Sequence, residues 1–116
     1  MRKVLTFAAA FEAATGLALL IMPSLVGRLL LGAELTDAIP VARVAGIALI
    51  ALGVCCWPGS TVLCGMLTYG AVVTLYLAYL GVNGEWVGPL LWPAVVLHAV
   101  LTLLLARAWF QLRKPD

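Results

Sequence analysis

The feature of this sequence that most constrains its fold is a long central stretch almost without charge. Between Val44 and Ala106 the only formally charged residue is Glu85. A helix at the surface of a soluble protein needs a polar face, and no segment of this stretch supplies one. Only 10% of the 116 residues are Asp, Glu, Lys or Arg, against roughly 25% in an ordinary soluble domain. We therefore expect an all-α polytopic membrane protein.

Four apolar runs are long enough to form transmembrane helices, each of which needs about 20 residues to cross a hydrocarbon core about 30 Å thick. They cover residues 4–22, 39–57, 61–82 and 89–110. Proline or glycine marks a boundary of each run, because proline cannot continue the preceding turn and is favoured at a helix start. We predict one domain, residues 1–116, in which four transmembrane helices form an antiparallel bundle.

The first run has a second interpretation, as a cleaved signal peptide. Its apolar stretch is longer than the usual 7–15 residues of a signal sequence, and Glu12 stands in its middle. Both features favour a helix that the protein retains.

Residues 24–35 fit neither a span nor a simple loop. The segment is rich in leucine and valine and also contains Arg28 and Glu34. It is too short to cross a bilayer and too apolar for a solvated loop. We predict a short helix that lies in the outer interface of the membrane between the first two spans, with a helical extension or an irregular cap over the bundle as the alternative.

Lysine and arginine predict the orientation, because positively charged segments stay on the cytoplasmic side. Arg2 and Lys3 precede the first span, while Arg107, Arg113 and Lys114 lie at the end of the fourth. Both termini are therefore predicted to be cytoplasmic, which an even number of spans allows. We expect location in a bacterial inner membrane.

Glu12 is the most informative polar residue. It follows Val4 by eight residues, about 12 Å along a helix, which places it near mid-membrane. A carboxylate at that depth costs about 2.5–3.5 kcal/mol on insertion scales, so it should be protonated or paired. It is a candidate for proton or ligand binding; the structural alternative is a carboxyl satisfied by Arg43, Thr15 or a tyrosine hydroxyl. Arg43 itself can also extend to the outer interface without any partner.

Three further residues join Glu12 and Arg43 as candidates for proton or ligand binding. His98 lies near the middle of the fourth span and could share a proton with Glu12 at similar depth, or be a neutral ring bonded to a neighbour. Tyr69 and Tyr76 are seven residues apart and share a helix face. Their hydroxyls could meet Glu12 or His98, line a small-molecule pocket, or belong to ordinary core packing.

The three cysteines, Cys55, Cys56 and Cys64, fall around one predicted turn. Thiolates bind soft metals such as Cu(I), which makes them weak metal candidates, but cysteine is also a good small apolar residue. The sequence has no phosphate loop, zinc spacing, Ser-His-Asp set or basic nucleic-acid patch. It predicts no catalytic residue, no cofactor and no nucleic-acid partner.

Residues 11–24 (FEAATGLALLIMPS), 29–32 (LLLG) and 42–49 (ARVAGIAL) resemble small bacterial four-helix membrane proteins of the DoxX-like kind. The resemblance covers roughly the first half of the chain and implies a membrane subunit that accompanies a respiratory or thiol-oxidising enzyme near quinone. The chain is also similar to the small multidrug resistance family in its length, its four spans and its glutamate in the first helix. It departs from that family in the third and fourth helices.

From these observations we expect an accessory or structural subunit without catalytic activity of its own. Its partners would be the lipid bilayer and either further copies of itself or the other subunits of a membrane complex, such as a respiratory or redox complex. The alternative is a small proton-coupled transporter or a binder of a quinone-like molecule. In that case Glu12, His98, Tyr69 and Tyr76 would surround a cavity at the membrane midplane.

Overall fold

The chain is all-α, as the sequence predicts. A computed structural model describes residues 2–32 and 35–113. Glu34 of the predicted interfacial segment and Lys114 of the predicted cytoplasmic end lie outside the described residues. The helices are α1 (Arg2–Ile21), α2 (Pro23–Val26, which continues as a π-helical turn over Gly27–Leu31), α3 (Ile39–Cys55), α4 (Val62–Asn83) and α5 (Leu91–Arg113).

The helix boundaries follow the turn signals in the sequence and agree with the predicted spans to within a few residues. Pro23 opens α2 directly after Met22, whose backbone leaves the helical region. Thr61 caps α4 by accepting a hydrogen bond from the Cys64 amide at 3.4 Å. Gly84 ends α4 with a φ of 84°, a left-handed conformation that glycine adopts without a steric penalty.

Among the described residues, three helices are long and apolar enough to cross a membrane. They are Lys3–Ile21, Val62–Asn83 and Leu91–Arg113. The second predicted span, residues 39–57, corresponds to α3, an apolar helix of 17 residues, or about 25 Å at 1.5 Å per residue. It is thus shorter than the other three, because its helix ends at Cys55 rather than Trp57.

The segment predicted to be a short helix is helical from Pro23 to Leu31. It packs against both α1 and α3, with Pro23 and Gly27 buried. Its three consecutive leucines, Leu29, Leu30 and Leu31, are each more than 70% exposed. The segment therefore presents a strongly apolar tip beyond the helices that it packs on.

The long helices form a row in the order α1, α3, α4, α5. Among the described residues, helix contacts join α1 to α3, α3 to α4, and α4 to α5, while α1 touches neither α4 nor α5. Each helix runs antiparallel to its neighbours. One end of the row, which we call the terminal end, contains Arg2, the turn after α3, and Arg113; the other, the loop end, contains α2 and residues 84–90. The Cα trace measures 52 × 38 × 15 Å, so the row is much wider than it is thick.

Close approach of backbones at glycine fixes the α1–α3 pair. A Cβ atom built on Gly46 would lie 2.6 Å from the Gly16 carbonyl oxygen, and one on Gly53 would lie 2.7 Å from the Ala9 carbonyl oxygen. The two contacts are seven residues, or about two turns, apart on each helix. Small residues at such positions let helix backbones meet in apolar surroundings.

The positions of small residues on α3 explain why the described helices lie in a row. On α3 the contact with α1 is made at Gly46, whereas Cys55 meets Gly65 of α4. Gly46 and Cys55 are nine residues apart, which is two and a half turns at about 3.6 residues per turn. They therefore lie on opposite sides of α3, and the two neighbours flank this helix. The antiparallel order of the prediction is present, and the row is the lateral order that the prediction left open.

We expect Gly46→Val to destabilise the protein strongly, because its Cβ meets the backbone of α1 and the two helices must separate. Overpacking of this kind costs about 1–3 kcal/mol. Gly88→Val is the matched control, since a Cβ there meets nothing within 4 Å. Thermal unfolding followed by circular dichroism in a mild detergent would measure both, and equal midpoints would contradict the packing described.

Candidate functional site

Most polar side chains within the helices bond their own helix. The Thr15, Thr68, Thr74 and Thr102 hydroxyls each donate to the carbonyl four residues earlier, at 2.6–2.9 Å. Such bonds satisfy a hydroxyl in apolar surroundings without any second helix. The polar groups left over are therefore the ones available for a site.

Glu12 is one of these groups. It lines a groove of about 250 Å³ between α1 and α3, together with Leu52, Gly53, Cys56 and residues of its own helix. Within the described residues no hydrogen bond or ion pair reaches its carboxyl group; the Thr15 hydroxyl, a predicted partner, bonds the Phe11 carbonyl instead. The Glu12 side chain is half-buried, so its carboxyl group is open to a partner from outside the row.

The predicted Glu12–Arg43 pair is not formed. The facing positions Ala9–Gly53 and Gly16–Gly46 put Glu12 level with the middle of α3, about two turns from Arg43. Arg43 also lies nine residues from Leu52 and so points to the opposite side of α3. Depth and direction therefore both separate the two charges.

His98 lies on α5, at the far edge of the row from Glu12, so the two do not share a site within one chain. Its Nδ1 atom is 2.8 Å from the Ala94 carbonyl oxygen. Because a carbonyl oxygen only accepts, Nδ1 carries the proton, and Nε2 of the neutral ring is left as an acceptor. The Tyr69 ring approaches the His98 ring edge-on, with their centroids 6.2 Å apart.

A second groove, of about 310 Å³, runs between α3 and α4. Its lining is apolar except for Cys55 and Tyr69. Leu52 borders this groove as well as the Glu12 groove, and half of its side chain is exposed. The two grooves therefore open on the same side of the row, with Leu52 as the ridge between them. We call this side the Leu52 face; it carries Glu12, Cys56 and Tyr69, with His98 beside Tyr69.

The cysteines do not converge on a metal site. Cys55 borders the α3–α4 groove and Cys56 the Glu12 groove, while Cys64 receives a hydrogen bond from the Thr61 hydroxyl at 3.5 Å. All three thiols are free. Among the residues that the structure describes, no three His, Cys, Asp or Glu side chains are grouped to hold a metal ion.

Tyr76 presents a buried polar atom without a partner. Its hydroxyl has no hydrogen bond within the described part of the chain. Tyr69 and Tyr76 do follow one stripe of α4, as their spacing predicts, but only Tyr69 borders a groove. The two tyrosines therefore have different surroundings.

Sequence reasoning missed Ala48 and Leu52, which shape the Leu52 face together with Cys56, a residue that it named only as a weak metal candidate. Ala48, Leu52 and Cys56 recur at intervals of four residues, which places them on one stripe of a helix. That spacing was available as a signal, but α3 is apolar on every side, so nothing in the pattern distinguishes this stripe from the others.

No family model, curated protein or solved structure matches this chain. The DoxX-like resemblance stays a prediction from the residues that carry it.

We expect Tyr76→Phe to leave the fold intact and to raise the free energy of unfolding by about 1–2 kcal/mol, because an unsatisfied buried hydroxyl is costly. Tyr79→Phe is the matched control, since Tyr79 lies on the same helix and is 60% exposed; it should change little. Chemical unfolding in detergent measures both. A marked loss of stability in Tyr76→Phe would reveal a hydrogen-bond partner for this hydroxyl.

Proposed function

We propose that the chain is an integral membrane protein with four crossing helices, acting as an accessory or structural subunit without catalytic activity of its own. The observation that carries the proposal is the open row of described helices, in which α1 and α5 each have one neighbour among the long helices and both sides of the row remain uncovered. Surfaces of this kind suit packing against lipid and against further transmembrane helices.

The direction of the helices supports four crossings even though α3 is short. Both α1 and α4 are long enough to span, and both run from the terminal end of the row to the loop end. If both cross in the same direction, the chain between them must cross back, and α3 lies antiparallel between them. A helix of about 25 Å is accommodated by local thinning of the bilayer or by its flanking residues.

The charged residues support an orientation with the terminal end in the cytoplasm of a bacterium. Lys3, Arg107 and Arg113 all belong to this end. Asp37 and Glu85 belong to the loop end together with Arg28, and Arg43 lies about one turn inside α3 from that end. Cytoplasmic loops carry an excess of lysine and arginine. The Arg113 guanidinium also lies 4.7 Å from the centre of the Trp109 ring, a pairing suited to the membrane–water boundary.

An accessory role also fits the distribution of the polar groups better than a transport site within one chain. The alternative of a proton-coupled transporter needs Glu12 and His98 around one cavity, and these residues lie on helices at opposite edges of the row. The Glu12 groove and the α3–α4 groove both open on one side of the row. They suit the packing of another helix or an acyl chain.

The topology predicts which exposed loop positions are reached from each side of the membrane. In a chain with its native cysteines replaced by alanine, Thr36→Cys and Gly88→Cys should react with a membrane-impermeant maleimide on intact spheroplasts. Pro58→Cys should react only after the membrane is opened, because it lies at the other end of the row. Reaction of Thr36→Cys and Pro58→Cys from the same side would show that α3 does not cross.

Native mass spectrometry from a mild detergent or from native nanodiscs tests the accessory role. We expect the chain to be released in an assembly with further membrane subunits, either other copies or a different protein. Release only as a monomer, together with proton-coupled uptake in liposomes that Glu12→Gln abolishes, would contradict the accessory role and favour transport. Gln at this position preserves size while removing the titratable group.

A further inference from the structure

We propose that two copies of this chain pair through their Leu52 faces, so that Glu12 of each copy meets Tyr69 of the other, beside His98. The inference rests on the proposed membrane location. The partner of this face is a second copy of the chain, and the two copies make a polar contact that one chain alone cannot make.

The unpaired groups of the Leu52 face are complementary. Glu12 brings a carboxyl group without a partner among the described residues, Tyr69 brings a hydroxyl that likewise has none, and His98 Nε2 is an unoccupied acceptor in the neutral ring. A carboxyl group in hydrocarbon gains from any such partner, because no water replaces it. The face therefore contains both halves of a hydrogen-bonded contact, on different helices.

Depth in the row makes this contact possible. Glu12 is level with the middle of α3, since Ala9 faces Gly53 and Gly16 faces Gly46. On the other side of α3, Gly65 packs between Ala51 and Cys55, so Tyr69, one turn further along the antiparallel α4, reaches the same level. Two copies with the same membrane orientation are related by an axis along the membrane normal, which preserves depth. Glu12 and Tyr69 of different copies can therefore meet.

The order of the helices gives the lateral match. A two-fold axis parallel to the helices reverses the order of the row, so full overlap of two facing rows stacks α3 on α4 and α1 on α5 of the other copy. The axis then passes through the α3–α4 groove. The Glu12 groove, between α1 and α3, then faces α4 and α5 of the other copy, where the Tyr69 ring on α4 approaches the His98 ring on α5. Two identical contacts result, one on each side of the axis.

The size and lining of the face suit such a pairing. The row extends 52 Å by 38 Å, so each of its sides offers more area than the roughly 800 Å² that each partner buries in a standard interface. Ala45 and Ala48 are exposed on the α3 part of the face, and small residues allow helices of two chains to approach closely. Arg43 of α3 points to the other side of this helix, so its charge does not lie between the two copies.

Disulfide cross-linking in native membranes tests the face. With the native cysteines replaced by alanine, Ala48→Cys lies beside the axis and should give an interchain disulfide on oxidation. Leu75→Cys is the control, because Leu75 is 71% exposed but points away from the Leu52 face. It lies nine residues, or two and a half turns, from Met66, which borders the α3–α4 groove. Equal dimer yields from the two variants, or none from Ala48→Cys in a chain that fractionates with membranes, would overturn the proposal. Failure to fractionate with membranes would instead overturn the proposed function.

A mixing experiment tests the contact between copies. Glu12→Ala and Tyr69→Phe homodimers each lose both contacts, whereas a mixed dimer keeps one, formed by Glu12 of the second variant and Tyr69 of the first. We expect the dissociation constant Kd of each variant homodimer to be about tenfold higher than that of the unsubstituted dimer, which corresponds to the loss of two interhelical hydrogen bonds in a membrane. The mixed dimer should have a lower Kd than either variant homodimer. Energy transfer between differently labelled copies in liposomes measures all three.

Two controls keep this experiment decisive. Tyr79→Phe removes the hydroxyl of an exposed tyrosine on the same helix and should leave the Kd unchanged. Glu12→Gln retains a carbonyl acceptor for Tyr69 and should dimerise better than Glu12→Ala. This variant also tests the contact if alanine at this position disturbs folding. A mixed dimer no tighter than the homodimers would show that Glu12 and Tyr69 do not meet between copies.

Discussion

Close packing of backbones at small residues is the interaction on which the rest of this structure depends. The hydroxyls of Thr15, Thr68, Thr74 and Thr102 and the proton on His98 Nδ1 are bonded to their own helices, so these hydrogen bonds do not join one helix to the next. What remains is contact, and the backbones of two helices approach each other most closely where Gly16 meets Gly46 and where Gly53 meets Ala9. Because the small positions of α3 lie on opposite sides, this packing spreads the helices into a row. The row in turn determines which polar groups can meet.

The sequence predicted the local structure well because helix boundaries depend on local signals. Pro23, Gly84 and the capping residue Thr61 end or begin helices through their own backbone chemistry, and the apolar runs between them are unmistakable. The lateral order of the helices is different, because it depends on which face of each helix packs. Helices that are apolar on all sides carry no periodicity that identifies that face. The sequence therefore predicts an antiparallel arrangement of helices but not their order in a row.

The same limitation explains the polar pairings. Position along a helix predicts the depth of Glu12, Arg43 and His98, but depth alone does not say on which helix, or on which side of a helix, a partner lies. Glu12 and Arg43 end on opposite sides of α3, and Glu12 and His98 on opposite edges of the row. A second copy facing the first restores proximity between Glu12 and the Tyr69–His98 pair. An open row with a lone carboxyl group on one side is thus most simply understood as half of a larger assembly.

The distance between α1 and α5 in a single chain is the most direct measure of the open order of the helices. Phe11 and Leu104 are both exposed and lie at similar depth at the two edges of the row. Spin labels at Phe11→Cys and Leu104→Cys, in a chain without its native cysteines and diluted with unlabelled protein, report this distance by pulsed electron resonance. Three helix spacings of about 8–10 Å each predict a separation above about 25 Å. A single short distance of about 10–15 Å, as between helices of a closed bundle, would contradict the row.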